Sequence, residues 1–146
     1  MSLRPLKTIA MNPIESKIES REDVSLLVHT FYSKIRKDDL LGPIFNAHIS
    51  EEEWPQHLIK LTDFWETNLF GVRKFKGSPT KKHLKVDKNL DYTIDQMHFG
   101  KWLQLWVETI NKLFVGDRAD KAIYMARKMA TGQYLSLWHQ KPDHKK

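Results

Sequence analysis

The sequence predicts an all-α fold, and three observations carry that prediction. Apolar residues recur at spacings of three and four through most of the chain, and no stretch sustains the period-two alternation of a strand. Five Trp and seven Phe also supply unusual aromatic volume for filling the space between helices. At 146 residues the chain fits one domain, assigned to residues 13–140, with residues 1–12 expected as a disordered extension and residues 141–146 as a polar tail.

The first helix spans 22–35, where Val24, Leu27, Val28, Phe31, Tyr32 and Ile35 share a face. Lys37-Asp38-Asp39 and Leu41-Gly42-Pro43 then break the pattern, leaving Ile44 and Phe45 as an apolar pair in a short connection. Phe45 is too apolar for a free loop. Ser50 with Glu53 three residues on reads as a capping box, and Pro55 falls in the first turn, where a missing N–H is tolerated. The helix opened there runs to about residue 69 and sets Trp54, His57, Leu58, Leu61, Phe64, Trp65 and Leu69 on one broad face.

Glycine and proline between 71 and 79 interrupt regular structure. Residues 80–84 make a short helical turn at most, and 86–93 read as polar and irregular. The strongest periodicity follows over 94–114, with His98, Phe99, Trp102, Leu103, Trp106, Val107, Ile110 and Leu113 on one face. A last helix after Gly116 repeats Ala119, Ala122, Ile123, Ala126, Met129, Ala130, Tyr134 and Leu137, and these two long helices are expected to pair.

Composition removes several chemistries. The chain has no cysteine, which excludes disulfides, thiolate zinc sites, iron–sulfur clusters, cysteine nucleophiles and c-type haem attachment. Any metal must use His, carboxylate or Tyr. The net charge of +6 is spread along the chain rather than gathered in one stripe, so nucleic acid is not the expected partner. No apolar run approaches the roughly 18 residues of a membrane span, and the first residues lack an apolar signal core, so no membrane is expected and the cytoplasm is the expected location.

No HExxH pair, nucleophile elbow, P-loop or Gly-rich dinucleotide signature is present. Seven histidines remain to be sorted. His29, His48, His139 and His144 lie beside polar residues, loops or the tail and read as incidental, which leaves His57, His83 and His98. Histidines in an aromatic helical frame suit haem, because the porphyrin supplies four ligands and the protein need add only an imidazole and an apolar slot. Pattern alone does not choose among the three.

Over about residues 15–137 the chain resembles a truncated haemoglobin of the third group. The resemblance rests on Phe31-Tyr32 followed by Lys34 and Arg36, Leu41-Gly42-Pro43-Ile44-Phe45, and Trp54 through His57 to Phe64-Trp65. It continues with Gly77 and Pro79 before Lys82-His83-Leu84, then Phe99 through Trp102-Leu103. The glycine pairs of the other two groups are missing.

That resemblance implies a truncated globin fold, an abbreviated helical sandwich around one haem b. It makes His83 the iron ligand and places His98 near the haem edge or a propionate. Tyr32, His57 and Trp102 fall on the ligand side, where a phenol, an imidazole and a donor-only indole can hydrogen-bond a diatomic ligand that takes on negative charge. Phe45 stacks on the porphyrin, and Leu61, Phe64, Trp65 and Phe99 line the apolar slot.

The implied function is reversible binding of oxygen, nitric oxide or other diatomic ligands. Storage, transport or sensing without turnover stands beside nitric oxide detoxification or peroxidase-like turnover. Turnover needs a separate reductase, since the chain has no flavin or nicotinamide motif. A basic helical interaction module without haem is the alternative outside that family.

Overall fold

Helix starts and stops follow local chemistry in a computed structural model that describes residues 16–75, 77 and 79–146. The extension expected at residues 1–12 lies outside the described residues. Ser20 caps α1 (Arg21–Lys37), its hydroxyl accepting the Asp23 N–H at 3.3 Å. Acidic Glu22 and Asp23 open the helix and basic Lys34, Arg36 and Lys37 close it, which matches the helix dipole. Its apolar face is entirely buried, as the spacing predicts.

Residues 42–48 differ from the expected connection, forming a short helix, α2 (Gly42–His48). Pro43 sits in its first turn, where proline starts a helix as readily as it stops one. Asp38 secures the corner before it, one carboxylate oxygen accepting the N–H groups of Leu40 and Leu41 at 3.0 and 2.9 Å. The Ser50–Glu53 box is present, with reciprocal bonds of 2.9 and 3.3 Å, and the regular helix α3 (Trp54–Phe70) begins immediately after it. Gly71, at φ 74°, ends that helix in the left-handed conformation.

The largest departure from expectation is α4 (Pro79–Asn89), which continues through residues that read as irregular. Its support is tertiary. Asp87 is fully buried and its carboxylate accepts the Ile94 N–H at 2.9 Å, while Gln140 donates to the Leu84 carbonyl at 2.8 Å. Asp95 then caps α5 (Gln96–Leu113), and α6 (Asp117–Gln140) follows Gly116. Beyond it lies a 3₁₀ turn at Asp143–Lys145, and Lys141, at the start of the expected polar tail, is buried.

The long helices α5 and α6 pair most extensively, α1 packs against α2, α3 and α5, and α4 lies on α6. Ala119, Ala122 and Ala126 are buried on α6. Trp106 of α5 donates its indole N–H to the Ala122 carbonyl at 3.1 Å, satisfying its polar atom inside the core. Its ring stacks on Trp65 at 4.5 Å and on Trp102 at 6.0 Å, with Phe31 edge-on at 4.8 Å. Such aromatic pairs each add roughly 0.5–1.5 kcal/mol beyond the area they bury. No strand occurs among the described residues, and none of their helices is long and apolar enough to cross a membrane.

Candidate functional site

Helices α1, α2 and α3 bring Tyr32, Phe45 and His57 together. The Tyr32 ring lies 6.0 Å from Phe45 and 6.4 Å from His57, centroid to centroid. Trp102 joins from α5 through Phe31, whose ring is 4.7 Å from Tyr32 and 5.5 Å from Trp102. Burial pushes the Tyr32 phenol up to about 12, and hydrogen bonding from the Trp102 indole pulls partly the other way. The phenol therefore keeps its proton, and so its capacity to donate, across the physiological range.

His57 is half-buried and titrates below its ordinary value. Burial is the main cause, the positive charges of Lys82 and Lys60 add to it, and Glu53 opposes. A neutral imidazole offers one donor and one acceptor nitrogen. Lys82 belongs to α4, so a positive charge on that helix acts on His57 of α3.

His83 projects from α4 toward Phe99 of α5, with ring centroids 6.4 Å apart. Its Nδ1 is buried without a hydrogen-bond partner. Burial drives its pKa down to about 4; the Pro79 carbonyl approaches and partly offsets this without making a full hydrogen bond to Nδ1, and Lys82 lowers it further. Phe99 and Trp102 stand one turn apart on α5, so one helix serves both groups of residues.

His98 is otherwise engaged. Its Nδ1 accepts the Asp95 N–H at 3.0 Å and completes the capping box of α5, leaving only Nε2 for any other partner. Trp65 is buried in the core stack, Leu61 packs partly buried against that core, and Phe64 lies between Trp65 and Phe75 at 5.4 and 5.0 Å. Phe64 also lines a cleft of about 370 Å³ with Asn68, Pro79 and Met129, beside the start of α4.

Two residues that the sequence places on apolar faces, without a site role, also belong to this region. Phe31 is the hub joining Tyr32, Trp102 and Trp106, and its place on the same apolar face as Tyr32 was the available signal. Trp54, three residues before His57, packs on it at 5.4 Å and is covered by the Arg36 guanidinium at 4.6 Å, yet its buried indole N–H has no partner.

A helical frame that holds a largely buried imidazole on one short segment, and a phenol, an imidazole and an indole on mutually packed neighbours, is the arrangement expected of a globin. Comparison with known proteins narrows that class. The chain is 35% identical over 114 residues to the group 3 truncated hemoglobin ctb of Campylobacter jejuni, covering 77% of this chain and 86% of that protein. The crystal structure of a group III truncated hemoglobin from Campylobacter jejuni matches with a TM-score of 0.75 at 32% identity, over 85% of this chain and 95% of that one. No family model matches. This chain belongs to the group III truncated haemoglobins and has their all-helical fold, which bears out the resemblance read from its motifs.

Proposed function

We propose that the protein binds one b-type haem, with His83 as its ligand to the iron, and through it binds oxygen, nitric oxide or other diatomic ligands reversibly. The observation that carries this reading is His83 itself. A histidine kept neutral by burial has one lone-pair nitrogen above about pH 4; with Nδ1 turned toward the Pro79 carbonyl, an acceptor that favours a hydrogen there, the lone pair falls on Nε2. Phe45, Leu61, Phe64 and Trp65 lie in or against the apolar core and Phe99 faces His83, so apolar side chains that suit a flat hydrophobic group stand on both the α3 and the α5 side.

Haem would supply an iron centre able to bind diatomic ligands and to exchange electrons. The chain's own residues set the surroundings. His83 donates one nitrogen lone pair. Tyr32 stays protonated and donates, Trp102 can only donate, and neutral His57 donates from one ring nitrogen. Aromatic side chains at Phe45, Phe64 and Phe99 would limit access of water to a bound haem, and the charges of Lys60 and Lys82 favour anionic groups at the edge near His57. His98 keeps Nε2 available toward a propionate.

Three donors favour retention of a polar ligand over its easy release, which supports turnover as a second reading. Nitric oxide, oxygen and one electron make nitrate, with the electron coming from a separate reductase; peroxide activation draws on the same donors. An absorption spectrum tests the haem assignment directly. A Soret band is expected from the haem-reconstituted protein and lost in His83→Ala but retained in His98→Ala. A chain without haem affinity would overturn this reading in favour of the alternative, a basic helical interaction module.

A further inference from the structure

His83 stands one helical turn before Asp87, and the last residues of the chain are what hold that turn. Asp87 is completely buried, and Lys141 reaches it with a side chain only 4% exposed, Nζ to Oδ2 3.4 Å. Lys141 Nζ also donates to the Tyr92 carbonyl. Next to it, Gln140 donates to the Leu84 carbonyl at 2.8 Å and lies 3.4 Å from Asp87. Asp87 in turn accepts the Ile94 N–H through its carboxylate at 2.9 Å and the Tyr92 N–H through its carbonyl at 2.7 Å.

The turn so gripped is unfavourable by itself. Asp91 and Tyr92 have φ of 58° and 61°, consecutive left-handed residues with no glycine between them. Such a pair persists where surrounding contacts over-determine it. Here Lys141 takes the Tyr92 carbonyl and Lys145 pairs with Asp91 at 2.8 Å. A buried ion pair adds little net stability, because desolvation opposes the Coulomb attraction; what it supplies is a fixed register.

We propose that residues 140–145 form a latch on the helix that carries His83, with Asp87 and Lys141 as positioning residues that fix the imidazole against Phe99. The inference rests on His83 as the iron ligand. Releasing the latch frees the end of α4 and the Asp91–Tyr92 turn, so the His83 ring samples more orientations.

Lys141→Met keeps the aliphatic stem and removes the ammonium, Lys145→Ala is a milder cut at the exposed pair, and Lys141→Arg restores charge. Hydrogen exchange in the haem-loaded protein is expected to rise about tenfold over residues 84–94 in Lys141→Met, and less in Lys145→Ala. Haem transfer to an apomyoglobin acceptor is expected to quicken about tenfold, the iron–histidine stretching band to shift or broaden, and Lys141→Arg to recover most of both. Slow α4 exchange in both cut variants overturns the latch. Fast α4 exchange with unchanged haem transfer and an unchanged iron–histidine band overturns its link to His83. A normal Soret spectrum in His83→Ala would instead remove the ligand assignment, whatever the exchange result.

Discussion

The rings of Tyr32 and His57 meet edge to face, 6.4 Å apart with planes at 87°, and both pack on Trp54. Burial acts on the two in opposite directions of pKa but toward the same outcome, since it disfavours the charged form of each. A protonated phenol and a neutral imidazole therefore stand side by side at neutral pH. Neither repels the other, and each keeps a hydrogen that it can donate.

Removing the phenol oxygen while keeping the ring isolates its share of ligand retention. A hydrogen bond to a partly charged acceptor in a dry site contributes roughly 1.5–3 kcal/mol. Tyr32→Phe should therefore speed oxygen release roughly 10- to 100-fold in stopped-flow dissociation, and Trp102→Phe should act in the same direction. Release that stays as slow in the double variant as in the unaltered chain would sink the three-donor account.

The same phenol should be visible by titration. Of the four tyrosines, one is expected to ionise near pH 12, read as a phenolate absorbance step that disappears in Tyr32→Phe. The folded state holds that proton more tightly than the unfolded chain. Stability from this group is thus full below about pH 10 and is lost as the pH climbs toward 12.

His83 runs the opposite way. Its folded pKa of about 4 lies below the ordinary 6.5, so the unfolded chain takes up the proton first. The haem-free protein should lose about 3 kcal/mol of stability as the pH falls from 6.5 toward 4. Urea unfolding at several pH values would register the slope, and His83→Phe should flatten it. An equal slope in that variant would place the acid sensitivity on another group.

How much of this was legible depends on where each signal resides. Helices α1, α5 and α6 bury one face each, so their spacing alone announces them. α4 is harder to read: it is the most polar of the long helices, Asp87 is its one fully buried residue, and the cationic partner of that carboxylate lies 54 residues away. Among the histidines, local pattern left His57, His83 and His98 equal. Family motif order chose His83, and the structure supplies a physical reason to set His98 apart, because its Nδ1 is committed to the Asp95 cap.

Gly42 is the other place where local rules misled, and it gives a sharp test. Glycine before proline reads as a chain break, yet Gly42 opens α2 and has no left-handed φ. What it needs is the absence of a side chain. A Cβ there would lie 2.7 Å from the Arg36 carbonyl oxygen and 3.3 Å from that of Ile35, backbone atoms in the last turn of α1. Ile35 is fully buried, so that turn has no room to retreat and α2 must move instead. Gly42→Ala should cost roughly 1–3 kcal/mol in thermal or denaturant unfolding, the range of an overpacked contact. Because α2 carries Phe45, whose ring is 6.0 Å from Tyr32, the shift should reach the site as well. Faster oxygen release accompanying the loss of stability is the expected result, and full stability with unchanged release would show that α1 and α2 do not need this close approach.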